Sequence, residues 1–341
     1  PVMHTDPIAN TEATTAQPPA AMAAPDAQMK AVLNQLAALN GKALETLTAA
    51  EARKQPTPAD AAKAVMKSQG KSTAPDPAVV SVDQSIATAG GTLPIRIYTP
   101  KVGAGPFPVV VYYHGGGWVI ANKEVYDAGA RALSKMANAV VISVDYRQGP
   151  EHKFPAAHDD AYATYEWATK NASSIKGDSK RIALAGESAG GGLAVATAIM
   201  AREKGIQMPV SVVSVYPIAG TDTTTPSYIE NAKAKPLSRA GMSWFFANYL
   251  NGPDDRANPR VNLVAADLKG LPPTTIINAQ IDPLRSDGEM LAETLRAAGV
   301  TVSQKTYEGT AHEFFGMGAV VDKGMAAQQM AGDALKNAFG G

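Results

Sequence analysis

The stretch Arg181-Ile182-Ala183-Leu184-Ala185 has the apolar pattern of a buried strand. It runs directly into Gly186-Glu187-Ser188-Ala189-Gly190, which fits the turn motif G-x-S-x-G. The apolar run 193–200 that follows is typical of a buried helix. A serine between a strand and a helix holds its hydroxyl above the sheet, and flanking glycines leave room for the strained turn. A glycine-rich helix start capped by serine would fit the motif alone, but this context favours Ser188 as a nucleophile.

From residue 79 onward the chain alternates strand and helix patterns. Strands are predicted at 79–88, 93–99, 108–113, 139–145, 181–185, 209–216, 274–280 and 300–307. Helices are predicted at 124–137, 156–171, 189–204, 284–298 and 319–338. Runs such as 109–111 are apolar at successive positions, which is typical of strands buried on both faces. The alternation predicts an α/β fold with a mostly parallel central sheet and helices on both faces.

Two segments fall outside this alternation. Residues 27–72 carry helical spacing and two helix-start signals. Residues 218–257 separate two predicted strands by far more than a usual connection, and they contain a helix pattern. We predict that both segments fold over the catalytic domain, which comprises 73–217 and 258–341.

The first 26 residues are rich in Ala, Thr and Pro and show neither helical nor strand periodicity. We predict that 1–26 is a disordered tail. The alternative is a stub left after removal of a signal peptide. The sequence therefore leaves open whether the protein is cytoplasmic, periplasmic or secreted.

The composition excludes several classes of function. The 31 basic and 31 acidic side chains among 341 residues leave no net charge, which disfavours nucleic acid as a partner. No cysteine is present, so disulfides, thiolate metal sites and a cysteine nucleophile are ruled out. No apolar run approaches the roughly 20 residues that a membrane span needs.

A glycine triplet follows the predicted strand at 108–113. In His114-Gly115-Gly116-Gly117 the glycines would weaken a purely structural turn, but they allow backbone N–H groups to approach a ligand oxygen. A phosphate loop would normally continue with Lys and Ser or Thr, whereas Trp118 follows here. We interpret the loop as half of an oxyanion hole, with the N–H of Ala189 as the other half.

If Ser188 is the nucleophile, we expect its general base to be a histidine that follows it in the chain. The sequence has five histidines, and four of them precede Ser188: His4, His114, His152 and His158. His312 is the one that follows, in a predicted turn, 308–312, just past the strand at 300–307. We therefore predict that His312 is the base.

The third member of the triad must be a carboxylate between Ser188 and His312. Asp282 directly follows the apolar strand run 275–281 and precedes a helix, so it belongs at the sheet edge, where it can orient the imidazole. A helix-capping role before Pro283 is compatible with this one. Asp287 is the alternative. The chain order Ser, Asp, His is that of α/β hydrolases.

These motifs together resemble the bacterial hormone-sensitive-lipase-like esterases, also called family IV, of the α/β-hydrolase superfamily. The resemblance extends from about residue 79 to the C-terminus. The stretches that carry it are Tyr112-Tyr113-His114-Gly115-Gly116-Gly117-Trp118, Asp145-Tyr146-Arg147, Pro150-Glu151-His152-Lys153-Phe154-Pro155, Gly186-Glu187-Ser188-Ala189-Gly190-Gly191 and Asp282-Pro283-Leu284-Arg285.

The resemblance implies a catalytic α/β-hydrolase domain under a helical cap formed by the N-terminal helices and the insertion 218–257. It implies that Gly116, Gly117 and Ala189 donate the oxyanion N–H groups. It also implies hydrolysis of esters with short to medium acyl chains, without a cofactor or metal. The partner is then a small-molecule ester, and a homodimer through the strand at 300–307 and the following helix stays open.

The sequence departs from the family pattern at a few positions near the motifs. Glu187 stands where Asp or Thr is commoner, and Ser286 replaces a usual acidic residue. Glu313 follows His312 where Gly is common, and it either raises the pKa of His312 or faces solvent. These changes leave every catalytic group in place and bear on substrate preference.

Candidates for the substrate pocket are Trp118, Glu187, Trp244 and Phe245. For the aromatic residues, packing of the cap against the body is an equally good explanation. Two other functions stay open. One is a related reaction, by an amidase or a dehydratase, on the same scaffold. The other is a small-molecule receptor without turnover, although such receptors lack the histidine that is present here as His312.

Overall fold

The computed structural model describes residues 20–340. The strands are β1 Val79–Thr88, β2 Gly91–Pro100, β3 Phe107–Tyr113, β4 Val140–Val144, β5 Gly177–Glu187, β6 Val212–Val215, β7 Thr274–Ile281 and β8 Val302–Ala311. The helices are α1 Ala27–Ala38, α2 Ala49–Ala52, α3 Pro58–Ser68, α4 Asp127–Ala137, α5 Ala156–Asn171, α6 Ala189–Lys204, α7 Pro226–Glu230, α8 Arg239–Tyr249, α9 Pro253–Ala257, α10 Arg285–Ala297 and α11 Asp322–Phe339. No helix within 20–340 is long and apolar enough to cross a membrane.

All eight strands form one sheet, in the order β1-β2-β4-β3-β5-β6-β7-β8. The pairs β1–β2 and β2–β4 are antiparallel, and every other pair is parallel. The predicted α/β fold with a mostly parallel sheet is therefore confirmed. The carboxyl ends of the parallel strands share one edge, so the loops that follow β3, β5, β7 and β8 meet there.

The central strands are buried on both faces, as their unbroken apolar runs predict. Val109 and Val111 of β3 point into a core that includes side chains of α5, α6 and α10. Val110 and Tyr112 point into the opposite core, which includes side chains of α4 and α11. Because successive side chains of a strand alternate between faces, one short run fills both cores.

The two segments predicted to lie over the domain are helical. We call 27–72 the N-terminal segment and 218–257 the β6–β7 segment. Thr48 and Glu51 form the capping box that starts α2, as their spacing predicts. The indole Nε1 of Trp244 donates to the carbonyl of Leu47 at 3.0 Å, which joins α8 to the N-terminal segment.

The structure corrects the bounds of two strands near the site. The strand predicted at 181–185 extends over Gly177–Glu187 as β5. Residues 308–311 were predicted to be a turn, but they continue β8 as far as Ala311. Ile281 of β7 pairs with Ala311 beyond a register shift, so the last of the extra residues has a strand partner. The predicted tail falls mostly on 1–19, which lie outside the described residues. Its last residue, Asp26, caps α1 and donates its N–H to the carbonyl of Gly309.

A buried histidine should make the fold sensitive to acid. His158 of α5 contacts the hydroxyl of Tyr249 through Nδ1 at 2.8 Å and the carbonyl of Arg260 through Nε2 at 3.2 Å. Burial lowers the pKa of His158 to about 3, against an ordinary 6.5. Its stabilising contribution is therefore complete above pH 6.5 and is lost as the pH falls from 6.5 towards 3.

We expect the free energy of unfolding to fall by about 2 kcal/mol more between pH 7.5 and pH 5 than in a His158→Gln variant. Urea unfolding of both proteins at the two pH values measures this difference. An equal pH dependence in the two proteins would show that His158 is not the acid-sensitive group.

Candidate active site

Ser188 occupies a strained turn between β5 and α6. Its φ of +60° and ψ of −118° lie where non-glycine residues are rare. A Cβ on Gly186 would come within 2.1 Å of the carbonyl oxygen of Gly190, and a Cβ on Gly190 within 1.9 Å of the carbonyl oxygen of Tyr113. The two motif glycines are therefore required by close backbone packing, which leaves the serine hydroxyl free above the sheet.

Ser188, His312 and Asp282 form one chain of hydrogen bonds. The Ser188 hydroxyl is 2.8 Å from His312 Nε2, and His312 Nδ1 is 2.6 Å from the Asp282 carboxylate. The other oxygen of Asp282 accepts the backbone N–H of Leu284 at 2.9 Å, so the carboxylate is held at both ends. Asp282 is fully buried, and the other two side chains are nearly so. The three residues predicted from the sequence are thus brought together.

The surroundings of His312 favour a charged imidazole. Burial by itself lowers the pKa of His312, but the charge and hydrogen bond of Asp282 outweigh it and raise the pKa above its ordinary value. Glu313 and Glu187 add smaller contributions in the same direction. An imidazole that is stabilised when charged is suited to take a proton from a serine hydroxyl.

The alternative acid, Asp287, has a different environment. Its carboxylate accepts the backbone N–H groups of Ala219 and Gly220, both at 2.9 Å, and so holds the start of the β6–β7 segment. Burial raises the pKa of Asp287 to about 8, so the group is largely neutral at pH 7. His312 Nδ1 bonds to Asp282 and not to Asp287, which leaves Asp287 a structural role.

The glycine loop lies across from the serine in a left-handed backbone conformation. The φ angles are +106° at Gly116 and +58° at Gly117. Within the described residues, no protein acceptor binds the N–H of either glycine. The N–H of Ala189 begins α6, where helix N–H groups lack intrahelical partners. These three N–H groups are the predicted oxyanion donors.

Gly116 should not tolerate a side chain. A Cβ there would come within 2.1 Å of the backbone oxygen of Ile120, at a φ that L-residues rarely adopt. Gly116→Ala must therefore move the loop, and loss of one oxyanion donor lowers kcat by roughly 10²–10³-fold. Steady-state kinetics on a p-nitrophenyl ester test this. Gly252→Ala is the matched control, because it meets nothing within 4 Å. Equal losses in the two variants would contradict a donor role for Gly116.

A cavity of about 590 Å³ opens over Ser188 and His312. One part of its wall comes from the N-terminal segment, including Leu33 and Leu36, and another from the β6–β7 segment, including Met242. The cavity volume falls within the range of small-molecule sites. The two segments that fall outside the strand–helix alternation therefore both contribute to the wall of this cavity.

The four predicted pocket residues divide into two pairs. Phe245 and Glu187 line the cavity. Trp118 does not: it is buried, and its ring stacks on Tyr249 at 4.9 Å between centroids. Trp244 also lies outside the cavity wall, with its indole bonded to the N-terminal segment. Both tryptophans serve packing. From the sequence, packing and a place in the pocket wall were equally good explanations for them.

Two tyrosines of the site were not predicted as site residues from the sequence. The tyrosines Tyr112 and Tyr216 both donate to the carboxylate of Glu187, the second at 2.5 Å. Burial raises the pKa of Glu187 to about 7, and the charge of Glu313 adds to the effect. Tyr216 also places its ring 4.4 Å from that of His312. The one sequence feature that could have indicated Tyr216 as a site residue is its position directly after β6, at the carboxyl edge of the sheet.

Comparison with known proteins places this geometry in a family. A family model described as alpha/beta hydrolase fold matches residues 110–316, which contain the serine, aspartate and histidine. The chain belongs to the α/β-hydrolase family. The resemblance to the hormone-sensitive-lipase-like esterases is thereby confirmed.

Among curated members of this α/β-hydrolase family, the chain is 41% identical over 251 residues to the carboxylesterase NlhH of Mycobacterium tuberculosis, covering 72% of this chain and 79% of that protein. It is 32% identical over 302 residues to the ethyl acetate hydrolase of Pseudomonas putida, covering 86% and 91%. Among solved structures, the hyperthermophilic esterase of the archaeon Pyrobaculum calidifontis matches with a TM-score of 0.83 and 34% identity, covering 92% and 99%.

Proposed function

We propose that this protein is a serine carboxylesterase that hydrolyses small esters of short to medium acyl chains. The observation that carries the proposal is the hydrogen-bonded chain from Ser188 through His312 to Asp282, which lies at a cavity of about 590 Å³. The relatives described above are named as carboxylesterase, ethyl acetate hydrolase and esterase, which supports ester hydrolysis as the reaction class.

Each catalytic group has a role in the proposed acyl transfer. His312 takes the proton of Ser188 as its oxygen attacks the ester carbonyl, and Asp282 holds the imidazole in the required tautomer. The N–H groups of Gly116, Gly117 and Ala189 stabilise the tetrahedral oxyanion. His312 then gives the proton to the leaving alcohol. Water, activated by the same imidazole, releases the acid from the acyl-enzyme.

We further propose that the N-terminal segment and the β6–β7 segment act together as the cap. Both contribute to the cavity wall, and the Trp244–Leu47 hydrogen bond joins them directly. Phe245 lies so close to Gly117 that a Cβ there would come within 2.1 Å of its ring. This contact supports a cap that packs against the loop proposed to bind the oxyanion, where exclusion of water would strengthen the hydrogen bonds to it.

The test is a panel of p-nitrophenyl esters from acetate to palmitate, run beside matched amides. We expect turnover of the esters to peak at short to medium chains and amide turnover to be far slower. An alkyl phosphonate that mimics the tetrahedral intermediate should inactivate the protein, and peptide mass spectrometry should locate the adduct on Ser188. A folded protein that turns over amides but not esters, or neither, would overturn the proposal in favour of an amidase, a dehydratase or a receptor.

A further inference from the structure

A second carboxylate lies beside His312, at the ring nitrogen that Asp282 does not contact. Glu313 Oε1 is 3.5 Å from His312 Nε2, whereas Asp282 binds Nδ1 at 2.6 Å. The hydroxyl of Tyr126 donates to the same Glu313 oxygen at 2.7 Å and fixes its position. Within residues 20–340, no Lys or Arg forms an ion pair with Glu313, so His312 is its one partner that can carry positive charge.

The backbone at Glu313 is held in an unfavourable conformation. Its φ is +81°, in the left-handed region that favours glycine, the residue common at this position in the family. Backbone strain of this kind persists where the surrounding structure imposes it, and it clusters at functional sites. The side chain is 16% exposed and lines the cavity, next to the reacting atoms. The chain thus keeps a glutamate where a glycine would be unstrained.

We propose that Glu313 is a positioning residue that stabilises the imidazolium form of His312 from the Nε2 side and thereby sets the pH range of ester hydrolysis. When the Ser188 proton reaches Nε2, the new positive charge lies between two carboxylates, Asp282 on one side and Glu313 on the other. An interaction that strengthens as charge develops favours the transition state over the ground state. Before proton transfer, the same carboxylate keeps His312 protonated to a higher pH.

Within residues 20–340, Asp282 and Glu313 are the two carboxylates within ion-pair distance of the His312 ring. The titratable and hydroxyl-bearing residues that surround the His312–Glu313 pair come from five places in the fold: Asp282 after β7, Glu187 at the end of β5, Ser188 at the start of α6, Tyr216 after β6, and Tyr126 before α4. Both oxygens of Glu187 are occupied by tyrosine hydroxyls. Burial raises the pKa of Glu313 above its ordinary value, although the charge of His312 and the hydrogen bond of Tyr126 act in the opposite direction. The carboxylate is therefore ionised most readily when His312 is protonated.

Glu313→Gln tests the proposal, because the amide keeps the shape and an acceptor for Tyr126 but removes the charge. With the charge gone, His312 loses its proton at lower pH. We expect the acid limb of kcat/KM to move down by about one pH unit. A less basic imidazole should lower kcat on the alkaline plateau roughly threefold. The two profiles should therefore cross, with the variant faster in acid and slower in alkali.

The kinetic test above rests on the proposed function, because it needs ester turnover. A direct titration of His312 tests the role of Glu313 independently of that function. In ¹⁵N-histidine protein carrying Ser188→Ala, NMR should show the pKa of His312 falling by about one unit when Glu313→Gln is added. The control Glu308→Gln removes an equal charge from an exposed side chain of β8 and should leave the pKa of His312 unchanged. This readout needs no turnover, so it stands even if no ester is cleaved.

Glu313→Gly provides a second variant that should fold, because it relieves the left-handed strain. It should give the same shift as Glu313→Gln together with a higher melting temperature. The proposal is overturned if either folded variant leaves the His312 titration and the acid limb unmoved. A uniform loss of rate at every pH would show a merely structural role and would overturn it as well.

Discussion

Replacing Ser188 with alanine should lower kcat for p-nitrophenyl esters by roughly 10⁶-fold. The hydroxyl that lies 2.8 Å from His312 Nε2 is the nucleophile in the proposed mechanism, and alanine offers no atom that can form the acyl-enzyme. Residual catalysis should come only from the oxyanion donors and substrate binding, as in enzymes that lose a whole triad. Stopped assays at high enzyme concentration, with wild type beside the variant, measure the loss.

A second buried serine supplies the control. Ser143 of β4 is fully buried, and its hydroxyl finds no partner in the described structure. Ser143→Ala removes the same atom from the core but away from the cavity, so kcat should stay near the wild-type value. If Ser188→Ala retained kcat within tenfold of Ser143→Ala, another group would have to be the nucleophile.

Replacing Asp282 with asparagine should lower kcat by roughly 10⁴-fold. The amide preserves size, but it cannot carry the negative charge that stabilises the His312 imidazolium, and its N–H₂ group favours the wrong tautomer. Because Asp282 is the main group that raises the pKa of His312 against burial, the variant imidazole should also titrate at lower pH. The kcat measurement and the pH profile of the residual activity test both statements.

Asp287→Asn is the matched control for this change. Asp287 is equally buried and lies five residues further along the chain, but its hydrogen bonds go to Ala219 and Gly220. Its raised pKa, about 8, means that asparagine mimics the protonated group already present at pH 7. We expect near wild-type turnover from this variant. A loss as large as that of Asp282→Asn would mean that the two carboxylates share the role of orienting His312.

Much of this architecture was predictable because local and global signals agree in the chain. Residues 182–185 are apolar at every position, and they run into a motif whose glycines are required by backbone contacts below 2.2 Å. Asp282 and His312 follow strands whose carboxyl ends meet at one sheet edge, so their closeness in space follows from topology. The capping pair Thr48 and Glu51 is likewise a purely local signal.

The features that escaped prediction depend on contacts between distant parts of the chain. An aromatic such as Trp118 next to a catalytic loop suits a pocket wall and a packed core equally well, and only the ring of Tyr249 decides between them. The extension of β8 through 308–311 depends on pairing with β7. The environment of Glu313 depends on Tyr126, which is 187 residues away in sequence. No periodicity or spacing carries such information.

The hydrogen bond between Trp244 and Leu47 has a consequence for recombining this protein with its relatives. The cavity over Ser188 takes its walls from two stretches that are almost 200 residues apart in sequence but are joined to each other in space. A chimaera that imports 218–257 alone would replace Trp244, the partner of the native Leu47 carbonyl, and Phe245, which lies against the glycine loop, with the residues of the donor protein. We therefore expect a chimaera to show the substrate selectivity of the donor protein only when 27–72 and 218–257 are exchanged together. Chimaeras with a crossover point inside either stretch should fold poorly or lack selectivity.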